Sequence, residues 1–480
     1  MSIIEIQNYK TFFAKKTYWL FTGRAMPVII LFLITILYSR RLGYDEYGKF
    51  QSIWMYTNIV SVFISFGITS VLLSSNLSFL FAFVKRHSVK IIISYIILWV
   101  IVFGIFFWQG KNFDTYTKFL LTLFILVQNI ITVLETFQIK NHKEKFVFTI
   151  NFIYSLFFFG WHYFILIRGF NLNDLIKGII IIAIIKMAVL FFMRVNENKE
   201  YETLSDRTFS RHWIFLGLND IFGVLAKWMD KLFLLYLLTT SDFAIFFNGS
   251  FEVPLFGLLV SVVGSILLID ISGNIAAKEK VVKIFNEGFR ILSIIVFPLF
   301  LFLFFFSNEL FAIIFKHKYD PSIPIFVISI FILPVRINNY SSILQCYSSG
   351  NKILTGSVLD IIIISILILT LYPAMGTKGV ALAIVIGTYC QAFYYLWQSA
   401  KLLNTKILFL IPLKLLAVRF GILLLIFGIV YFASYKLSVE VRLITGTIFT
   451  AVIILISLYF YFTKKHLTEY GFIKKNKFTS

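Results

Sequence analysis

The chain has 480 residues, 59% of them hydrophobic and only 14% charged, with a formal net charge of +21. Soluble globular domains lie near about 45–50% apolar and about 25% charged, so this composition excludes an ordinary water-soluble domain. The positive charge implies no nucleic-acid partner, because the Lys and Arg fall in short loops between apolar runs, where they set membrane orientation and attract anionic lipid heads.

In chain order the apolar segments run approximately over 19–38, 51–74, 91–108, 119–139, 146–167, 175–195, 213–238, 243–269, 284–306, 325–347, 353–372, 380–402, 413–434 and 441–462. Each is close to the ~20 residues that cross the hydrocarbon core. Backbone groups in lipid must be satisfied within a helix or a closed barrel, and no alternating barrel pattern is present. The expectation is therefore an all-α integral membrane protein with about 14 transmembrane helices. The short link from Arg168 to Lys177 makes the fifth and sixth spans the least sharply bounded pair. Residues 1–18 are polar and basic and lead into the first span without a small-residue cleavage site, so no cleavable signal peptide is expected. Taking the amino terminus as inside puts the larger share of Lys and Arg in the inside loops, among them Lys85, Arg86, Lys140, Lys278, Lys280 and the tail lysines Lys464 and Lys465. An even number of spans then leaves both termini cytoplasmic.

Ionised side chains lie inside these apolar runs. A charge at the bilayer centre costs roughly 2.5–3.5 kcal/mol on insertion scales, so several of them together imply a shared polar interior and a substrate path. The first span carries Arg24, with Pro27 on the same face. The fourth carries Gln128, Thr132 and Glu135 at helical spacing, and the sixth carries Lys186, which could bind an anion or pair with Glu135, Glu252 or Asp360. The seventh is the richest. Its Asp220, Lys227 and Lys231 recur at spacings of seven and four and share one face, and Asp230 is placed to pair with Lys227. Glu252 lies in the eighth span. In the tenth, Arg336, Asn339 and Tyr340 fall on one side of a continuous helix, and Asn338, Ser342 and Gln345 on another. Arg and Lys suit phosphate, the first as a bidentate fork and the second as a point charge. Amides and hydroxyls suit sugar hydroxyls, and serve equally as interhelical hydrogen bonds. Arg24, Lys227, Lys231, Arg336, Lys186, Asn338, Asn339 and Gln128 are thus the candidate substrate-binding residues, and Asp220, Asp230, Glu135 and Glu252 the candidate gating or coupling residues. An Arg24–Asp220 salt bridge would close an inner gate.

A repeat at an offset of about 196 residues relates LGYDEYGKF (Leu42 to Phe50) to LTTSDFAIF (Leu238 to Phe246). Further on, NIITVLETFQIKN (Asn129 to Asn141) lies against NYSSILQCYSSGN (Asn339 to Asn351). An even number of helices per repeat gives both halves the same orientation. The organisation expected is an amino-terminal six-helix lobe over 1–211, a parallel second lobe over 212–403, an accessory helix pair over 404–463 and a basic cytoplasmic tail over 464–480.

Four segments carry a family resemblance: RRLGYDEYGKFQ (Arg40 to Gln51), KWMDKLFLLYLLTTSDFAIF in and after the seventh span, FKHKYDPSIPIF (Phe315 to Phe326) and YPAMGTKGVALAI (Tyr372 to Ile384). In their order, and with fourteen spans, the chain resembles the polysaccharide transporter family of the multidrug/oligosaccharidyl-lipid/polysaccharide exporter superfamily. It departs at the second turn, where Thr239 and Ala244 replace Gly43 and Gly48 of the first. The resemblance implies a flippase for undecaprenyl-diphosphate-linked oligosaccharide in the bacterial cytoplasmic membrane, working by alternating access for surface polysaccharide such as O-antigen or capsule. The partners it implies are that lipid-linked substrate, membrane lipids, and a polysaccharide polymerase with its glycosyltransferases. Two rivals are a cation or drug exporter of the same superfamily, disfavoured by buried Lys and Arg, and a membrane glycan polymerase or ligase, disfavoured by the short outer loop near 307–324. No nucleotide-binding loop, hydrolase constellation or His/Cys cluster occurs, so no enzyme, cofactor or metal is expected.

Overall fold

The computed structural model describes residues 23, 25–74, 77–109, 113–141, 143–192, 206–250, 256–272, 274–347 and 349–469. They form helices and turns, with no strand among the described residues. Residues 1–247 with 253–258 make one compact unit, and residues 248–252 with 259–480 make a second.

The first unit opens with α1 (25–41), followed by α2 (Tyr44–Ser65), α3 (Ile68–Ser74), α4 (Leu77–Arg86) and α5 (Ser88–Gln109). It continues with α6 (Thr115–Lys140), α7 (Glu144–Arg168), α8 (Leu172–Phe191), α9 (Asp206–Leu237) and α10 (Thr240–Gly249). The second predicted span is not one helix. Phe66 and Gly67 both take positive φ, 36° and 73°, and divide it into α2 and α3. The break is held from α9: the Trp213 indole donates to the Phe66 carbonyl at 3.0 Å, and a Cβ on Gly67 would stand 2.6 Å from the Gly217 nitrogen. A carbonyl freed by a helix break in lipid needs such a donor.

Local capping explains the other boundaries. The Asp114 carboxylate accepts from the Tyr116 and Thr117 amides and starts α6. Gly169, at φ 96°, ends α7, and the Asn171 side chain caps α8 by accepting from Asn173 and Asp174. α8 packs on α6 and α7, where Gly178 leaves room for the Trp161 ring whose indole donates to the Leu175 carbonyl at 3.1 Å. α9 has 32 residues and begins seven before the predicted span. Its first residue, Asp206, receives Arg86 at 2.8 Å and His87 at 3.0 Å. His87 and Arg86 hold the Asp206 carboxyl below the usual carboxylate range. A depressed folded pKa means stabilisation that is present above the unfolded carboxyl pKa and lost as pH falls through the folded value. Protection from hydrogen exchange at the first turns of α9, taken relative to the intrinsic rate at each pH, should therefore hold steady from neutral pH down to about pH 4 and fall below it, whereas Asp206→Asn should lower it already at neutral pH.

The two turns related by the repeat meet inside this unit. Glu46 accepts the Gly43 N–H at 3.4 Å, and at the equivalent turn Thr239 Oγ1 accepts the Asp242 N–H at 3.1 Å. Thr240 Oγ1 donates to Asp45, and a Cβ on Gly48 would lie 2.2 Å from the Thr240 carbonyl oxygen. That contact explains why the first turn keeps a glycine where the second has Ala244.

The second unit holds α11 (Phe256–Ser272), α12 (Lys278–Phe305), α13 (Ser307–Phe315), α14 (Ile323–Ser329), α15 (Ser342–Cys346), α16 (Gly350–Met375), α17 (Thr377–Leu403), α18 (Ile407–Leu410), α19 (Leu413–Ala433) and α20 (Val439–Glu469). α12 is buried over much of its length and packs against α13, α19 and α20. α16 and α17 form a close hairpin, with Gly356 under the Tyr395 ring and Gly387 against Ile364. α20 is tied to α13 by Arg442 and Glu309 at 2.8 Å, with side chains 12% and 4% exposed.

The tenth predicted span is corrected. It contains α14, 3-10 turns at Ile330–Ile332 and Pro334–Arg336, and then the short α15. Pro334 offers no N–H and clashes with a continuing helix, while the Asn338 side chain accepts the Asn339 N–H.

Eight helices among the described residues are apolar and long enough to cross a membrane: α5, α6, α7, α12, α16, α17, α19 and α20. α5 shows how they face lipid, since Val89, Val100 and Trp108 are 68%, 68% and 80% exposed. Of the remaining predicted spans, the second and tenth are interrupted at α2–α3 and α14–α15, the sixth and seventh carry ionised groups in α8 and α9, and the first and eighth are described only in part. The protein is an all-α multi-pass membrane protein.

Candidate functional site

In the first unit, three of the residues singled out in the sequence come together. Lys186 on α8 is 8% exposed, and its Nζ lies 2.7 Å from Glu135 Oε1 on α6. The same ammonium sits 4.3 Å over the ring of Tyr154 on α7. Gln128, seven residues before Glu135 and so on the same face of α6, donates to the Tyr154 hydroxyl at 2.9 Å. Of the pairings open to Lys186, the structure realises the one with Glu135. Tyr154 has no signal in the sequence, where it is one of 24 tyrosines. The carboxylate and the aromatic face together offset the cost of burying the lysine.

α9 carries the second group. Ser70 on α3 donates to Asp220 at 2.7 Å, a contact made possible by the break at Gly67, which re-aims the chain toward α9. Asp230 is 4% exposed and pairs with Lys231 at 3.0 Å. Consecutive residues on a helix point apart, so the flexible lysine stem folds back to reach its neighbour. The Lys231 ammonium also lies 5.5 Å from the Trp228 ring and 5.7 Å from that of Phe247. Lys227 is exposed, whereas Lys231 is only 11% exposed. The face shared by Asp220, Lys227 and Lys231 in the sequence is thus graded from an accessible cation to an enclosed one.

In the second unit the amides act on the protein itself. Asn338 is 4% exposed, donates to the Phe285 carbonyl of α12 at 3.0 Å and accepts the Asn339 N–H at 2.9 Å. Asn339 accepts from Ser341 at 3.0 Å and packs beside Gly264 of α11. The two helical faces assigned to this stretch presuppose a helix that the structure does not have between 330 and 341. Arg336 lies in the last 3-10 turn, and Asp360 is on α16. Asp360 is 6% exposed, and its Oδ1 has no hydrogen-bond partner.

Arg24 and Glu252 lie outside the described residues. Buried or half-buried polar groups outside the sequence candidates include His162, fully buried on α7, Arg419 on α19, and Arg442 on α20. They could have been found by scanning every span for ionisable residues, the accessory pair included. Among the described residues no group of three or more His, Cys, Asp and Glu is placed to hold a metal ion.

These features define a helical, multi-pass membrane protein whose interior holds cations matched to carboxylates. No family model matches the chain, and no curated protein matches it. Among solved structures, the chain is similar to the lipid II flippase MurJ in an inward closed conformation, with a TM-score of 0.67 and 15% identity over 94% of this chain and 99% of that one. It is also similar to an inward-facing multidrug resistance MATE family transporter of the MOP superfamily, with a TM-score of 0.55 and 12% identity over 80% of this chain and 98% of that one. A MOP superfamily transporter from Pyrococcus furiosus gives 0.56 at 12% identity over 82% and 95%. At these identities the likeness establishes the fold. The chain has the fold of the multidrug/oligosaccharidyl-lipid/polysaccharide exporter superfamily, as its sequence resemblance implies.

Proposed function

We propose that this protein is a transporter that flips a lipid-linked oligosaccharide, with a diphosphate joining glycan and polyprenyl chain, across the bacterial cytoplasmic membrane by alternating access. The observation that carries the reading is the pair of intramembrane cations Lys186 and Lys231, each paired with a carboxylate, Glu135 and Asp230. A cation held inside an apolar fold by an exchangeable carboxylate suits a diphosphate, which brings two negative charges and several acceptor oxygens against the single charge of the carboxylate it displaces. The fold likeness to a lipid II flippase over nearly the full chain supports a lipid-linked substrate. In this reading Lys227 makes the first contact with phosphate, Arg24 takes part in it, and Asp220 and Glu252 act in gating or coupling. Gln128, Asn338 and Asn339 position the polar elements around the path. Both termini are cytoplasmic, the lobes span 1–211 and 212–403 with 404–463 accessory to them, and the product feeds a surface polysaccharide polymerase.

Proteoliposomes containing the full chain and an undecaprenyl-diphosphate oligosaccharide, read by glycan accessibility to an added lectin, test the reading. Protein-dependent exposure of the glycan is expected. Lys227→Gln and Arg24→Gln should each slow it by about ten-fold or more, the size of one lost charge-assisted contact. If the protein leaves the glycan in place and moves only cationic dyes, the exporter rival is the correct reading.

A further inference from the structure

A groove of about 940 Å³ runs between α12, α19 and α20. Its walls are aliphatic, with Pro298 from α12, Ile422 and Ile426 from α19, and Ile453 and Ile456 from α20. Lys414 and Arg419, from the beginning of α19, also line it. We propose that this groove binds one anionic phospholipid, with its phosphate on Arg419 and Lys414 and an acyl chain along the isoleucines.

The charge arrangement selects the headgroup. Arg419 uses Nη1 to donate to the Arg290 carbonyl at 2.7 Å and to Ser293 Oγ. A guanidinium has five N–H donors, so the ties that fix its plane leave others for a ligand. Glu287 does not neutralise it: that carboxylate accepts from Tyr461 and lies 3.9 Å from Arg290. The charged side chains contributed here by α12 and α19 are thus one carboxylate and three cations, Arg290, Lys414 and Arg419. A planar fork beside a flexible ammonium is a phosphate-binding combination.

The position selects a lipid over a soluble anion. Leu408 and Phe409 on α18 are 66% and 63% exposed beside Lys406 and Lys414, the mix of apolar and basic side chains found at a membrane surface. Arg419 is five residues further into α19, roughly 7–8 Å deeper along a helix axis. It can meet a phosphate at the headgroup boundary while its ligand's chain extends toward the bilayer centre. Beyond the groove, Leu425 and Ile429 on α19 are 70% and 68% exposed, so the aliphatic wall continues onto the lipid-facing surface. The volume falls within the range of ligand-sized pockets, about 300–1,000 Å³.

The test uses full-length protein in a neutral detergent, native mass spectrometry, and phosphatidylglycerol and phosphatidylcholine of identical acyl chains. Wild type is expected to retain one phosphatidylglycerol in preference to phosphatidylcholine. Arg419→Gln with Lys414→Gln should weaken that retention by about ten-fold or more. Because Arg419→Gln also removes a tie to α12, Ile422→Trp with Ile456→Trp provides a second arm: it fills the groove, keeps both cations, and should lose the lipid with an unchanged melting temperature. Equal retention of the two phospholipids, retention unaffected by either pair of substitutions, or displacement of phosphatidylglycerol by an equimolar polyprenyl diphosphate would each overturn the assignment.

Discussion

Gly67→Val is expected to abolish the folded, monodisperse protein. Gly67 has φ 73°, a left-handed conformation that costs roughly 1–2 kcal/mol for a residue with a Cβ and more for a β-branched one. The added Cβ would also stand 2.6 Å from the nitrogen and 2.7 Å from the Cα of Gly217, both backbone atoms of α9 that cannot rotate away. Overpacking of this kind adds about 1–3 kcal/mol. A combined loss above about 3 kcal/mol is a large part of the stability of an ordinary protein. The damage would spread along a defined route. Pushing α3 off α9 breaks the Trp213 bond to the Phe66 carbonyl and the Ser70 bond to Asp220, leaving an orphaned carbonyl and an unpartnered carboxylate in an apolar setting. Gly217→Ala is the graded comparison. Its Cβ would meet Phe66 atoms at 3.0–3.1 Å, one of them a side-chain carbon, so some relaxation is available and a smaller fall in melting temperature is expected. Fluorescence-detected size-exclusion with a thermal ramp reads both variants. A Gly67→Val protein that melts with wild type would show that the α2–α3 break is not packed against α9.

The positions of the spans were legible because hydropathy over about 20 residues is a strong signal, and where they are described the segments are helical apart from breaks such as those at 66–67 and 330–341. What hydropathy hides is interruption. Phe66-Gly67 sits in an apolar run and reads as continuous, although the break is decided by backbone φ and by a tryptophan 147 residues away. In the tenth span the warning was present, since Pro334 is followed closely by Asn338 and Asn339. Treating those amides as a helical face assumed the regularity that Pro334 removes. The ion partners were legible only in part. Glu135 was one of three acids open to Lys186, because six apolar helices can be arranged in many ways. The Asp230–Lys231 pair runs between neighbours that an ideal helix keeps apart, and depends on side-chain flexibility that spacing rules do not contain. Arg419 and Arg442 carry no such signal, because they fall in the accessory pair, outside the repeat that relates the two lobes. The repeat itself carried structural information: its two turns, matched at 196 residues, are the turns that meet at Gly48 and Thr240.

Lys186→Met alone is expected to cost about 3–5 kcal/mol, the usual penalty for stripping the partner from a buried charge. It would leave Glu135, whose side chain is 20% exposed, facing an apolar methionine beside the Tyr154 ring. Glu135→Gln alone strands the more deeply buried ammonium and should cost a similar amount. The double variant Lys186→Met with Glu135→Gln removes both charges while keeping the volumes. Replacing a buried ion pair with uncharged groups of similar size is often neutral or stabilising by about 1–4 kcal/mol, so its melting temperature should return close to wild type. Stability and transport should then separate. If the pair exists to present an ammonium to phosphate, the restored double variant still fails to expose lipid-linked glycan in the proteoliposome assay, because neither methionine nor glutamine supplies a charge. If it exists to hold α6 against α8, the double variant regains transport along with stability, since the Gln128–Tyr154 hydrogen bond and the packing between the helices survive. Full transport by the double variant would remove Lys186 from the substrate path and leave the α9 lysines Lys227 and Lys231, with Arg24, as the residues on which phosphate binding must rest.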